Sequence, residues 1–199
     1  MLALGICLIV SADLGAAPWD VFHLGLSRIT GLPLGRTLSL TGLLVMALGL
    51  PLGVRPTFAT VLNMALIGTF VDLIRGTSLV PIPSSAIQQF VLLAGGIVLC
   101  GLGAGIYLSP GLGAGPRDGF MLGLAHRTGV RIWTVHASIE VTVVALGYLL
   151  GARPGVGTLI TSGTAGYFVE RFLRLMKPVT QKLLQLVERQ QTPRGRTVC

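Results

Sequence analysis

Two short motifs that contain an acidic residue are the first candidates for chemistry in this chain. One reads Gly15-Ala-Ala-Pro-Trp-Asp20 and the other reads Gly113-Ala-Gly-Pro-Arg-Asp118. A Pro suits the first position of a helix, and an Asp two residues later lies in the first turn, beside the exposed amides and the positive helix end. The spacing therefore predicts two short helices, each with an Asp near its start.

These two aspartates allow two interpretations. In the structural one, each Asp only stabilises the start of its helix, by about 0.3–1 kcal/mol. In the functional one, the short helices enter the membrane from opposite faces and bring Asp20 and Asp118 to a water-accessible cavity, where they bind a cation or a proton. The sequence leaves both interpretations open.

Two arginines occupy equivalent turns. Arg55 and Arg153 each precede a Pro, and in an inverted arrangement of two copies they lie on opposite sides of the membrane. Arg153 then shares a side with Asp20, and Arg55 shares a side with Asp118, which predicts two ion pairs between the copies. The alternative is that both guanidinium groups extend to lipid headgroups.

A further polar pair interrupts an apolar segment. His136 and Glu140 are four residues apart and share a helix face, where an unpaired carboxylate is costly in a bilayer. The pair could relay protons, or hold helices together by a hydrogen bond, or place His136 among the headgroups. His23 is interpreted as a packing residue. Because His23, His126 and His136 are dispersed along the chain, the sequence predicts no metal site and no cofactor.

The composition identifies the solvent. The 199 residues are 52% hydrophobic and 11% charged, with a mean hydropathy of +0.79, whereas a soluble domain of this length needs more polar surface. The lipid bilayer is therefore a predicted partner. The net charge of +8 is concentrated near the C-terminus without the patterns of nucleic-acid recognition, which argues against nucleic acid. The sequence shows no activated nucleophile or ligand cluster, which argues against an enzyme.

The chain contains one unit twice. Residues 14–72 align on residues 112–170 with a constant offset of 98 and no gap. The identical pairs include Leu14/Leu112, Gly15/Gly113, Ala16/Ala114, Pro18/Pro116, Asp20/Asp118, Phe22/Phe120, Gly25/Gly123, Gly31/Gly129, Gly49/Gly147, Gly53/Gly151, Arg55/Arg153, Pro56/Pro154, Thr60/Thr158, Gly68/Gly166 and Phe70/Phe168. Each copy reads as an apolar segment, a Gly-rich connection with a short helix, a second segment, an Arg-Pro turn and a third segment.

The segment lengths predict the architecture. In the second copy the three crossings are near residues 90–108, 132–150 and 155–175, close to the roughly 20 residues that span a bilayer. Three crossings are an odd number, so the second copy starts from the opposite side. The predicted fold is an all-α polytopic membrane protein of about six transmembrane segments, in two inverted three-segment repeats with short half-helices that begin at Gly and Pro.

The predicted domain boundaries follow from this repeat. Residues 1–75 form the first membrane repeat, residues 76–89 an extracytoplasmic linker, residues 90–175 the second repeat, and residues 176–199 a cytoplasmic amphipathic helix with a basic tail. Twelve residues precede Asp13, which is about 18 Å of helix. The first segment is therefore expected either to lack about ten residues at its start or to be a half-segment at the bilayer edge.

The basic residues predict the orientation. Lys and Arg in short loops remain on the cytoplasmic side, and seven of them between Arg171 and Arg196 place the C-terminus in the cytoplasm. The uncharged loop at residues 77–85 then lies outside. Arg28 and Arg36 also fall outside, in mild disagreement with the rule.

Three strings of sequence resemble a known family. ADLGAAPWDVFHLGLS at residues 12–27, GLGAGPRDGFMLGLA at residues 111–125 and GARPGVGT at residues 151–158 resemble the YczE/YyaS/YitT group of bacterial integral membrane proteins. The resemblance implies a small multi-pass protein of the bacterial plasma membrane with an undefined molecular activity. Arg117 stands where the first motif has Trp19, so the second site is expected to differ in what it binds.

Two functions fit these observations. The first is a small transporter or permease for an unknown solute or ion, because duplicated inverted units, Gly-broken segments and equivalent acids suit alternating access. The second is a non-transporting membrane partner that stabilises or regulates another protein or assembly, because polar side chains are few within the segments. A second copy of the chain and another membrane protein are both left open as partners.

Overall fold

Helices make up the regular structure of the computed structural model, which describes residues 1–111 and 115–191. The helices are α1 (Leu2–Ser11), α2 (Pro18–Thr30), α3 (Leu34–Gly49), α4 (Phe58–Arg75), α5 (Ala86–Leu108), α6 (Pro116–Thr128), α7 (Ile132–Leu149) and α8 (Val156–Gln191). A short 3-10 turn at Leu50–Leu52 continues α3. Within the described ranges the chain forms no β-strand, so the predicted all-α class is confirmed.

Four stretches are long and apolar enough to cross a membrane. They are Leu34–Leu52, Phe58–Arg75, Ala86–Leu108 and Ile132–Leu149. Many of their large apolar side chains point outward, as expected for a surface covered by lipid. Of the six predicted segments, α1 is apolar but has only 10 residues, and α8 carries charged residues along its second half.

The helix boundaries recur at the spacing of the sequence repeat. Three pairs of helices begin 98 residues apart, namely α2 and α6 at Pro18 and Pro116, α3 and α7 at Leu34 and Ile132, and α4 and α8 at Phe58 and Val156. Both short helices have 13 residues and end at a left-handed Gly, with φ of 69° at Gly31 and at Gly129. Gly adopts this conformation without steric cost, which explains why both helices stop there.

The two halves interlock. The short helix α2 packs on α7 of the second half, and the short helix α6 packs on α3 of the first half. Equivalent contacts also occur within each half, where α1 packs on α4 in the first and α5 packs on α8 in the second. One pairing is not reciprocal, because α3 lies along α4 but the described parts of α7 and α8 have no comparable contact.

The helices α1 and α5 run antiparallel through the centre. Leu2 contacts Gly103, Gly5 contacts Cys100, and Ile9 contacts Gly96. A methyl group added at Gly5 would lie 2.6 Å from the Cys100 Sγ, so the small residues allow the backbones to approach closely. Buried apolar side chains on both sides of this pair form the core.

Two boundaries differ from the predicted ones. The helix α5 begins at Ala86 rather than near residue 90, because the Ser85 hydroxyl accepts a hydrogen bond from the Gln88 amide at 3.4 Å and caps the helix. The helix α8 continues through Pro178 to Gln191, so the amphipathic helix predicted within residues 176–199 is the end of α8 and not a separate helix. A Pro inside a helix removes one hydrogen bond but does not have to end it. The predicted basic tail, residues 192–199, lies outside the described residues.

Candidate functional site

The candidate site forms where the starts of α2 and α6 meet. Pro18 and Pro116 occupy the first helical position, where the missing amide proton costs no intrahelical bond. Asp20 and Asp118 then lie in the two first turns, as their spacing in the sequence predicts. Residues 112–114, at the beginning of the second motif, lie outside the described residues.

The two motifs touch through Trp19 and Arg117. The guanidinium carbon of Arg117 lies 4.7 Å from the centre of the Trp19 ring, which is a cation–π arrangement. These residues are 98 positions apart and are therefore equivalent in the repeat. In a two-fold arrangement, equivalent positions touch each other beside the axis. The contact thus lies where an axis relating the two halves would pass.

The first motif holds its acid in a buried pair. Asp20 is 4% exposed, and His23, one turn later in α2, is fully buried. The His23 Nδ1 lies 3.4 Å from the Asp20 Oδ1. The His23 Nε2 has no hydrogen-bond partner among the described residues, although it is buried, and a buried polar atom without a partner costs about 1–3 kcal/mol.

The helix α3 adds hydroxyl groups beside this pair. The Thr37 hydroxyl lies 3.4 Å from the His23 carbonyl oxygen and donates to the Leu34 carbonyl oxygen at 2.7 Å. Thr41 is one turn further along the same face of α3, and its buried hydroxyl has no hydrogen-bond partner in the described part of the chain. Two buried polar atoms without partners, on neighbouring helices, mark a place that accepts a proton donor or a small polar species.

The second motif is more open. Asp118 is exposed, and its carboxylate turns back toward Gly115, the residue before its helix. A cavity of about 80 Å³ lies next to this helix start and is lined by residues of α6 and of the turn before α4, including Arg55, Pro116 and Gly119. The two equivalent acids therefore occupy different surroundings, one buried and one exposed.

The predicted pairs of the arginines are absent from the described residues. Arg55 lines the cavity at the start of α6, but it forms no ion pair with Asp118. Arg153 is exposed in the turn before α8 and forms none with Asp20. Arg117 is instead the cation near both acids, because the carboxylates of Asp20 and Asp118 are the charges that act on its guanidinium.

His136 and Glu140 do come together on α7. The His136 Nε2 lies 3.8 Å from the Glu140 Oε1, with the two side chains 53% and 23% exposed. Both side chains are thus partly exposed, and His136 also acts electrostatically on Asp118. Among the described residues, no three of the His, Cys, Asp and Glu side chains are close enough together to hold a metal ion.

The sequence pattern did not reveal three features of structural or functional weight. His23 was interpreted as packing, although its spacing of three from Asp20 is a sign of pairing on one helix face. The contact of Trp19 with Arg117 depends on how the two halves meet, which the sequence of either motif does not contain. Asp72, at the end of α4, accepts hydrogen bonds from the amides of Gly35 and Arg36 at 2.5 and 3.0 Å and so caps α3.

The chain is similar to several bacterial proteins over most of its length. An uncharacterised protein of Haemophilus influenzae is 35% identical over 176 residues, which cover 88% of this chain and 80% of that protein. The uncharacterised membrane protein YczE of Bacillus subtilis is 33% identical over 186 residues, or 92% of this chain and 84% of YczE. The uncharacterised protein YyaS of the same bacterium is 24% identical over 182 residues, or 89% of each chain. No solved structure matches the chain.

These similarities confirm the resemblance to YczE and YyaS that the motifs indicate. YczE is named as a membrane protein, which agrees with the four apolar helices of this chain, so the protein is a helical, multi-pass membrane protein. The model of a family of unknown function, DUF6198, matches residues 1–174, and the chain therefore belongs to the DUF6198 family.

Proposed function

We propose that this protein is a small transporter or permease of the bacterial plasma membrane, built from two inverted repeats, with its polar path at the contact of α2 and α6. The observation that carries the proposal is the contact of Trp19 with Arg117, whose guanidinium is also acted on by the charges of Asp20 and Asp118. Ionisable side chains inside a membrane protein are costly and mark ion or substrate paths. In inverted-repeat transporters, such sites lie at the interface of the repeats.

The contacts of α1 with α5 support the inverted arrangement. Leu2 and Gly5 are equivalent to Cys100 and Gly103 by the offset of 98. Leu2 contacts Gly103, and Gly5 contacts Cys100, so the two contacts exchange under a two-fold rotation. Because the helices are antiparallel, the rotation axis is perpendicular to them. If these helices cross the bilayer, this axis lies in the membrane plane, as inversion requires.

The ends of the short helices support the same symmetry. The guanidinium of Arg28, at the end of α2, donates to the carbonyl oxygen of Gly151 after α7. The guanidinium of Arg127, at the end of α6, donates to the carbonyl oxygen of Pro51 after α3, at 2.7 Å. Each short helix is thus attached to a turn of the other half by an arginine near its end, which agrees with a two-fold relation between the halves.

Accessibility of single cysteines tests the proposal. In a version without the native cysteines, Asp20→Cys and Asp118→Cys are labelled with a membrane-impermeant thiol reagent from each side. Ser84→Cys and Lys177→Cys serve as controls for the outer and the cytoplasmic face, as predicted for the loop before α5 and for the C-terminal region. We expect position 118 to react rapidly from one face and position 20 to react slowly from the other, because only Asp118 is exposed.

The same labelling defines failure. If positions 20 and 118 react from the same face, the two halves are not inverted. If neither reacts while both controls do, no path wide enough for the reagent reaches the motifs, and transport of a solute through them is excluded.

One observation favours the second function, a non-transporting membrane partner. Glu140 and His136 are partly exposed on α7, within a stretch apolar enough to cross the membrane. A carboxylate that faces lipid is costly, so another protein chain or a second copy is expected to cover it. Cross-linking from Val141→Cys in native membranes tests this, with Leu44→Cys on α3 as the outward-facing control. A specific product at position 141 alone supports a partner, and equal products at both positions argue against one.

A further inference from the structure

Four ionisable side chains form one charge cluster between α2 and α6. The carboxylates of Asp20 and Asp118 act on the Arg117 guanidinium, and Asp20 and Arg117 act on the His23 ring. Three groups from neighbouring helices also interact with the two carboxylates, namely the thiols of Cys7 on α1 and Cys100 on α5 with Asp20, and His136 of α7 with Asp118. The helix α3 contributes the hydroxyls of Thr37 and Thr41.

The tautomer of His23 follows from its partner. The Nδ1 faces the Asp20 Oδ1 at 3.4 Å, and an ionised carboxylate only accepts hydrogen bonds. The ring proton of neutral His23 is therefore on Nδ1, which leaves Nε2 with a free lone pair. This lone pair is buried and has no donor among the described residues. A basic nitrogen is thus buried inside the protein, and no described hydrogen-bond donor occupies its lone pair.

The charge of the cluster sets how many protons it can take. With His23 neutral, the two carboxylates and the one guanidinium sum to a single negative charge. Asp118 is exposed, but Asp20 and His23 are buried and Arg117 is partly buried, and charges in such surroundings are most stable when they balance. One added proton achieves this balance, and a second one would reverse it. Arg117, in place of a second Trp, therefore acts as a permanent cation that limits uptake.

We propose that Asp20, His23, Arg117 and Asp118 form a site that binds one proton, on the Nε2 of His23. A proton from water adds to the Nε2 lone pair and forms an N–H bond, and the imidazolium is held by the Asp20 carboxylate through Nδ1–H. On release, the same N–H bond breaks and the proton returns to water, so no other reactant is needed. The proton is then the coupling ion of the transporter. This role of the proton rests on the proposed function, whereas the binding site itself does not.

Nitrogen NMR of the histidine rings tests the site in the full-length protein in lipid nanodiscs. The chain has three histidines, and His126→Gln with His136→Gln leaves His23 as the only imidazole. We expect the His23 signal to change once, from the Nδ1–H tautomer to the imidazolium, in a titration from about pH 4 to 9. A ring with a merely structural role keeps one protonation state throughout.

Two further variants separate the cluster from an isolated histidine. Arg117→Gln removes the permanent cation, so the midpoint of proton uptake is expected to rise by about one pH unit, whereas Arg117→Lys leaves it close to the parent. The proposal is overturned if His23 keeps one protonation state from end to end, or if Arg117→Gln leaves or lowers the midpoint. Because the titration needs no solute, a positive result together with a failed accessibility test would retain the proton site and reject the transporter.

Discussion

The two halves of the molecule share one plan but differ in how tightly it is closed. In the first half, Asp20 is buried beside His23, and α3 lies along α4. In the second half, the equivalent Asp118 is exposed, and the described parts of α7 and α8 have no comparable contact. The two halves therefore share a similar scaffold, but the first buries its acid and packs α3 on α4, whereas the second is more open.

Single residues explain this difference. Gly35 of α3 lies against Gly68 of α4, and neither has a side chain to separate the helices. At the equivalent positions the second half has Trp133 and Gly166, and a Cβ at Gly166 would meet nothing within 4 Å. An exposed Trp at residue 133 cannot allow the close approach that Gly35 allows. The asymmetry is thus a consequence of sequence.

The largest expected effect comes from the two equivalent glycines of α4 and α8. In Gly68→Ala, the new methyl group would collide with the Gly35 carbonyl oxygen and the Ser39 hydroxyl, so we expect a loss of about 3 kcal/mol in stability. Gly166→Ala is the matched control and should change stability little, because its surroundings are open. The measurement is the midpoint of thermal unfolding in detergent. Equal losses in both variants would contradict the asymmetry of the helix contacts.

A second pair of equivalent glycines, Gly147 of α7 and Gly49 of α3, differs in how closely neighbouring atoms approach. A methyl group at Gly147 of α7 would lie 2.7 Å from the Phe22 amide nitrogen of α2, whereas one at the equivalent Gly49 of α3 would lie at an ordinary 3.4 Å from the Val54 Cβ. We expect Gly147→Ala to cost about 2 kcal/mol and Gly49→Ala to be nearly neutral. The fraction of protein that remains monodisperse after heating measures both. A larger loss for Gly49→Ala than for Gly147→Ala would contradict the closer contact at Gly147.

Much of the scaffold could be predicted from the sequence, because the repeat made it visible twice. The helix starts at Pro18 and Pro116 follow from Pro and Asp at fixed spacing, and the left-handed ends follow from Gly31 and Gly129. Such features depend on a few neighbouring residues. The continuation of α8 through Pro178 was missed for the same reason, since a local rule for Pro does not include what the rest of the helix contributes.

The composition of the site could not be predicted in the same way. The ion pairs expected for Arg55 and Arg153 came from knowing only which side of the membrane each residue shares. Sharing a side does not fix distance, and the described residues show Arg117 near both acids instead. The contact of Trp19 with Arg117 depends on where the two halves meet. That is a property of three-dimensional assembly, which the pattern of one copy does not contain.

Equivalent acids of α4 and α8, Asp72 near the end of α4 and Glu170 within α8, extend the comparison. Asp72 accepts hydrogen bonds from the amides of Gly35 and Arg36 at 2.5 and 3.0 Å, whereas the equivalent Glu170 pairs with Arg174 on an exposed helix face. We expect Asp72→Asn to cost about 1 kcal/mol through weaker capping of α3. Glu170→Gln should cost less than about 0.5 kcal/mol, because exposed ion pairs contribute little. Thermal unfolding in detergent measures both, and the reverse order would contradict the capping role.

The smallest expected effect tests where the halves remain alike. Arg28 donates to the Gly151 carbonyl oxygen and Arg127 to the Pro51 carbonyl oxygen, so each arginine attaches the end of a short helix to the opposite half. Both are exposed, and replacement by Gln removes one hydrogen bond and one favourable charge at a helix end. We expect each variant to lose about 0.5 kcal/mol, and the double variant about twice that, because the sites are separate. Thermal unfolding of the three variants measures the effects. A loss confined to Arg28→Gln would extend the asymmetry of the two halves to these attachments, whereas equal losses limit it to the buried acid and to the contact of α3 with α4.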